Sequence, residues 1–211
     1  HAAAGTFSLE NTARLLKTRG RAMQQAVPAG EGAMAVILGL GFNDAEAVAL
    51  EAAGGDVCDF ANDNADGQIV LSGSRTAVQR AVEIAQDKGA KRAKMLAVSA
   101  PFHCELMLPA ADVMRKSLAA VEMFGPVVPV IANANAAPVS DVMEIRRLLV
   151  EQVTARVRWR ESVLAMRDAG VDHIVEVGFG KVLSGIIRRI DRTIKVTNVG
   201  SVGEIGSFLN S

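Results

Sequence analysis

Val98-Ser99-Ala100-Pro101-Phe102-His103 is a β-type run that breaks at a proline and ends on a histidine. Proline cannot continue a strand ladder, so the side chains just after it lie at a sheet edge, where reacting groups are accessible. An imidazole titrating near neutrality can take a proton from a hydroxyl and later return it to a leaving group, which makes His103 a candidate general base. Far upstream stands Arg19-Gly20-Arg21-Ala22-Met23. A guanidinium grips a carboxylate through two parallel hydrogen bonds, so Arg19 is a candidate for selecting a charged substrate over its uncharged analogue. Gly20 lets neighbouring backbone approach, and Met23, one helical turn beyond Arg19, can form a pocket wall. His173 lies in a strand-like run and His1 at the chain start, and neither has a comparable context.

Composition narrows the classes. The 211 residues are 50% hydrophobic and can bury a substantial core. Lys plus Arg and Asp plus Glu both number 23, so the zero net charge gives no reason to expect nucleic acid or an anionic membrane as the main partner. Cys58 and Cys104 have no metal-ligand spacing, and two cysteines in a chain of this size point to a reduced, cytoplasmic protein with no metal site. No apolar run reaches the length of a membrane span, and residues 1–15 lack a signal-peptide layout.

These residues must be positioned by regular elements. Helical spacing covers Leu9 to Val27 and stops at Pro28-Ala29-Gly30. Then come a short apolar run, 34–38, a helix, 44–53, a strand around 57–61 and a turn at 62–67. A strand, 68–72, a helix, 76–88, and a strand, 93–99, complete a β-α-β-β-α-β order, the pattern of a ferredoxin-like unit. Beyond Pro101 the expected elements are a helix, 105–121, a strand, 127–132, an Asn-rich loop, 133–135, helices over 141–153 and 160–169, a strand, 173–177, a helix, 181–190, and a strand, 195–199. Strands alternating with helices imply a largely parallel α/β sheet. Residues 30–98 thus read as an insertion between two pieces of one α/β core, 1–29 and 99–211.

The Ser-x-Pro-Phe-His and Arg-Gly-x-x-Met motifs, in this order around such an insertion, resemble the malonyl-CoA:acyl-carrier-protein transacylase family. The resemblance implies an α/β-hydrolase-like large subdomain interrupted by a ferredoxin-like small one, and transfer of malonyl from coenzyme A to acyl-carrier protein through an acyl-serine in bacterial fatty-acid synthesis. It implies no cofactor of the protein's own, and a monomer when complete. The family carries its nucleophile on G-H-S-L-G, which this sequence lacks; His1 to Phe7 resembles the helix just after that turn. The chain is therefore expected to lack its own nucleophile and to be inactive alone.

The same resemblance assigns roles. His103 is the base, Arg19 holds the malonyl carboxylate, and Met23 and Phe102 shape the acyl pocket. The main-chain carbonyl of Gln152 holds the imidazole in one tautomer, although Thr154-Ala155-Arg156 stands where members often have a proline-containing turn. Asn62 and Gln68 face the thioester cleft; by turn chemistry alone they are ordinary loop residues. Lys91 and Arg92 can meet the phosphates of coenzyme A or the acidic carrier protein, or form a solvated charged turn. Glu176-Val177-Gly178-Phe179-Gly180-Lys181 is a tight strand-to-helix turn with phenylalanine where the family usually has proline; its glycine spacing is wrong for a phosphate loop. A reading from another class is a non-catalytic small-molecule-binding module built on the βαββαβ unit. Whether Arg19 and His103 share one cleft separates the two.

Overall fold

Ser8 opens the first helix, its Oγ accepting the Asn11 N–H at 3.1 Å in the computed structural model, which describes residues 1–210. That helix, α1, is Leu9–Gln25. Next come β1 (Gly32–Leu38), α2 (Phe42–Ala53), β2 (Cys58–Ala65), β3 (Gln68–Ser74), α3 (Arg75–Asp87) and β4 (Arg92–Met95). The four strands form one antiparallel sheet in the order β2-β3-β1-β4. Alternation along β1 explains both of its faces. Ala33, Ala35 and Ile37 meet Val48 and Ala52 of α2 and Val78 and Ala81 of α3 in one core. Met34 turns the other way, joining Ala61 and Val70 beneath Phe102.

A single 3-10 turn, Glu105–Met107, leads into α4 (Leu108–Ala119). A hairpin of β5 (Val130–Ala132) and β6 (Ala137–Val139) follows, then α5 (Val142–Glu151), α6 (Trp159–Asp168), β7 (His173–Val177), α7 (Val182–Ile190), β8 (Lys195–Val199) and α8 (Val202–Leu209). Strands β7 and β8 pair in parallel, in register from His173↔Lys195 to Val177↔Val199. Helix α1 packs on α4 through Met23, Met114 and Leu118, joined by Met107 and Val153. Val163, Ile187 and Ile194 hold α6 and α7 against the parallel pair. The result is the mixed α/β architecture in two parts that the sequence implies. Among the described residues no helix is long and apolar enough to cross a membrane.

Several elements differ from the sequence reading. The expected turn at 62–67 is mostly strand, because Ala61, Asp63 and Ala65 alternate into the interior, where Arg160 pairs the Asp63 carboxylate. Only Asp66-Gly67 turns. Strand β4 ends at Met95 rather than Ser99; Leu96 still donates to the Met34 carbonyl at 2.8 Å before the chain leaves for Pro101. The Asn-rich loop is the tight turn of the β5–β6 hairpin, with Ala136 at φ 53°, and Pro138 hides the short β6 from a propensity reading. Gly203 and Gly206 likewise depress the helical signal of α8, which Ser201 caps by accepting the Glu204 N–H.

Candidate active site

His103 occupies the left-handed region at φ 59°, a conformation that costs a residue with a Cβ roughly 1–2 kcal/mol. Its neighbours hold it there. Pro101 is buried against Gly32, where a Cβ would fall 2.3 Å from the proline Cγ. The Cys104 thiol donates to the Pro101 carbonyl at 3.1 Å, and the Glu105 N–H donates to Asp59 Oδ2 at 2.8 Å, tying the segment to β2. Phe102 packs into the helical core on one side and the sheet core on the other.

The imidazole Nδ1 lies 3.0 Å from the Ala155 carbonyl. A carbonyl oxygen only accepts, so the neutral ring carries its proton on Nδ1 and leaves the Nε2 lone pair free. The sequence reading gave this role to Gln152. Helix α5 ends at Glu151, and the Ala155 N–H folds back to the Glu151 carbonyl at 3.0 Å, so the chain turns once more before a carbonyl meets the ring. The Gln152 carbonyl also favours the charged ring, to a lesser degree. Burial pushes the imidazole pKa below its ordinary 6.5; the Ala155 carbonyl opposes this, and the nearby Arg19 guanidinium reinforces it.

Arg19 and His103 line one cavity of about 250 Å³, with Gly20, Met23, Gln24 and Phe102. Met23 is buried in its wall, and the Gln24 side-chain amide donates to Ser99 Oγ at 2.6 Å across its rim. Arg19 also borders an adjoining cavity of about 310 Å³ that Gln152 reaches. Its Nε is buried without a hydrogen-bond partner, and burial lowers the guanidinium's pKa, though an arginine stays charged. A desolvated, unpaired cation beside a neutral base can bind a carboxylate and hold it next to a proton acceptor.

The remaining sequence candidates lie elsewhere. Asn62 is not in a loop: it pairs with Val70 and bridges to Val157, and does not line the Arg19–His103 cavity. Gln68, on β3, accepts from Arg189 Nη1 at 2.7 Å, and with Lys91 and Arg189 borders a separate groove that includes Gly39 and Asp66. Arg92 is exposed on β4, opposite Leu38. Three residues at these sites lie outside the motifs that the sequence marks out. Ala155 acts through its main chain and carries no side-chain signal. Gln24 was hidden one place beyond a motif. Arg189 lies in the exposed Arg188-Arg189 pair ending α7, a cationic turn that could have drawn notice. Among the described residues no group of His, Cys, Asp and Glu is arranged to hold a metal ion.

Residues 1–207 match the acyl transferase domain family. The chain is similar to the malonyl CoA-acyl carrier protein transacylase of Bacillus subtilis (strain 168), at 42% identity over 201 residues, covering 93% of this chain and 62% of that protein. It is 43% identical to that of Escherichia coli (strain K12) over 206 residues, covering 98% and 67%. Among solved structures, the acyl-carrier-protein-S-malonyltransferase from Bartonella henselae superposes with a TM-score of 0.95 at 52% identity, covering 99% of this chain and 67% of that one. A malonyl-transacylase solved with its type II PKS acyl-carrier protein gives 0.95 at 38% identity, covering 100% and 68%. The chain thus spans about two thirds of the length of these relatives, and only 62% of the Bacillus protein.

Proposed function

The chain belongs to the acyl transferase family, among the malonyl-CoA:acyl-carrier-protein transacylases, and from that premise we propose that it supplies the base and the carboxylate clamp of malonyl transfer in fatty-acid synthesis. The observation that carries this reading is the shared cavity of Arg19 and His103, with the buried Arg19 Nε unpartnered. A malonyl carboxylate paired to Arg19 places its thioester beside His103. The Nε2 lone pair then takes the proton of a serine hydroxyl as the oxygen attacks the thioester carbonyl, and returns it to the departing thiolate. In the second half-reaction the phosphopantetheine thiol of the carrier protein attacks the acyl-serine in the same way.

The sequence holds no G-H-S-L-G, so by this reading the nucleophile and its oxyanion donors come from outside these residues. The thiols here are poor substitutes: burial pushes Cys104 up to about 11 and Cys58 up to about 12, well above working pH. Both cysteines are free, which suits the reducing cytoplasm. Lys91 and Arg189, converging on the groove beside Gln68, suit the phosphates of coenzyme A or an acidic carrier protein, with Arg92 nearby on β4. The reaction as drawn needs no cofactor, and the enzyme works as a monomer.

Arg19→Ala in the full-length enzyme tests the assignment. Malonyl transfer should fall by roughly ten- to 150-fold, the worth of a charged hydrogen bond of about 1.5–3 kcal/mol, while transfer from acetyl-CoA, which has no carboxylate, holds steady or improves. An equal fall for both donors would make Arg19 structural.

A further inference from the structure

The carbonyl that orients His103 belongs to a short strap, Ala155 to Arg158, between α5 and α6, and that strap is clasped from two sides. On one side β2 takes both main-chain groups of Val157: its N–H donates to the Ala61 carbonyl at 2.7 Å, and its carbonyl accepts from the Asp63 N–H at 2.9 Å. On the other side stands Asn133, at the turn of the β5–β6 hairpin. Its Nδ2 donates to the Arg156 carbonyl at 2.9 Å, and its Oδ1 accepts the Arg158 N–H at 3.1 Å. One side-chain amide thus does what a neighbouring strand would do. The Arg156 carbonyl it grips lies one peptide beyond the Ala155 carbonyl, the acceptor 3.0 Å from His103 Nδ1.

The β2 bonds hold the two peptides flanking Val157 by their opposite ends, and Asn133 supplies the main-chain grip on the hairpin side. Arg156 and Arg158 are both paired to Glu161 of α6, and Arg158 Nη1 also donates to the Ala134 carbonyl at 3.2 Å, but these side-chain bonds do not hold the main chain at Ala155. Arg160 is committed to the buried Asp63 carboxylate, at 2.7 Å. Without the amide, the Arg156 carbonyl and the Arg158 N–H would each lose a partner in a half-buried site, and the strap, clasped by β2 alone, would shift to recover them.

We propose that Asn133 is a positioning residue for the base, acting through the Ala155 carbonyl to keep His103 in the Nδ1–H tautomer with Nε2 free. The inference rests on His103 being the base, but its physical content, the state of one imidazole, is measurable without turnover. Of the charged side chains on the elements around the ring, Arg19 of α1 faces it directly; Arg156 and Arg158 share Glu161 and Arg160 pairs with Asp63, which leaves that set one net positive charge, unaltered by substituting an uncharged residue for Asn133.

The test is nitrogen-15 NMR of the histidine rings in the full-length enzyme, comparing wild type with Asn133→Ala and with the isosteric Asn133→Asp. His103 should lose Nδ1–H character in both variants, and its titration midpoint should fall, since the carbonyl that favours the charged ring has been displaced. His173, whose Nε2 meets Thr197 Oγ1 at 2.8 Å, serves as the unmoved control. The aspartate carries the discrimination: it keeps the acceptor for Arg158 and loses the donor to Arg156, while its negative charge alone would raise the midpoint. A fall in Asn133→Asp therefore reports positioning. A rise with the tautomer unchanged, or unchanged His103 resonances in folded Asn133→Ala, would overturn the proposal. In parallel, kcat for malonyl transfer should fall about tenfold or more with KM for malonyl-CoA within about twofold. Loss of kcat with the ring state unchanged would also overturn it. A normal ring response in variants that keep full transfer would instead count against His103 as the base, and so against the function proposed above.

Discussion

Burying His103 disfavours its charged form, and the unpaired Arg19 beside it adds to that cost, so the ring stays neutral to lower pH than a free histidine would. For the enzyme, the acidic limb of kcat/KM against pH should have its midpoint below 6.5, checked by steady-state malonyl transfer; a limb at or above that value would contradict it. For stability, the unfolded chain takes up a proton at its ordinary value while the folded chain does not. The group's contribution is therefore full above 6.5 and is lost as pH falls from there through the lowered folded value. The left-handed backbone makes a second, separable demand. Asparagine tolerates that region far better than alanine, so His103→Asn should keep more stability than His103→Ala, with both unable to form the acyl-enzyme at a useful rate. Denaturant unfolding and intact-mass detection of the malonyl adduct read the two properties apart, and equal stability would mean that the backbone strain is absent. At this scale the sequence was legible where chemistry needs a side chain, as for His103 and Arg19. It was silent where chemistry needs only a peptide oxygen, as at Ala155, since any residue type can supply one.

Hydrophobic period revealed nearly every helix and strand that builds the site, and the bounds of β7 and β8 could be read to the residue. What the period could not carry was a polar residue turned inward. Asp63 reads as turn chemistry among Asn62 and Asn64, but a carboxylate bound by two nitrogens of one guanidinium can sit inside a strand, and β2 runs on through it. Packing between elements was equally invisible. Gly32, at the start of β1, reads as a bland glycine, yet the space its missing Cβ leaves is filled by Pro101, two residues before the base. Gly32→Ala should therefore cost about 1–3 kcal/mol by overpacking and lower malonyl transfer beyond what stability alone explains, because relief comes most readily by moving the proline. Urea unfolding and transfer rates on one preparation check it; a variant as stable and as fast as wild type would show that the contact relaxes freely.

Across the whole molecule the apolar groups gather into separate clusters, one of them made by the sheet, its two helices and Leu40 in the loop between β1 and α2. The parallel pair is poorly covered by comparison: Val177 is 79% exposed, and Phe179, in the turn beyond it, is fully exposed. The antiparallel sheet, in contrast, begins at Gly32 and ends at Met95 on neighbouring strands, Ala35 standing opposite Met95. Where a chain enters and leaves a unit at adjacent points, that unit is separable in the tailor's sense: it can be unpicked without stretching the cloth on either side. Residues 30–98 expressed alone should fold cooperatively, judged by a single urea transition and dispersed amide resonances, whereas a gradual, non-cooperative loss of structure would show that Phe102 and the strap are indispensable to it. The remaining ends lie close enough to be rejoined by a short linker. A lobe of the same footprint put in its place would keep His103 where it is only if it offered an edge strand to hold Val157, an acceptor where Asp59 meets the Glu105 N–H and a gap where Gly32 admits Pro101.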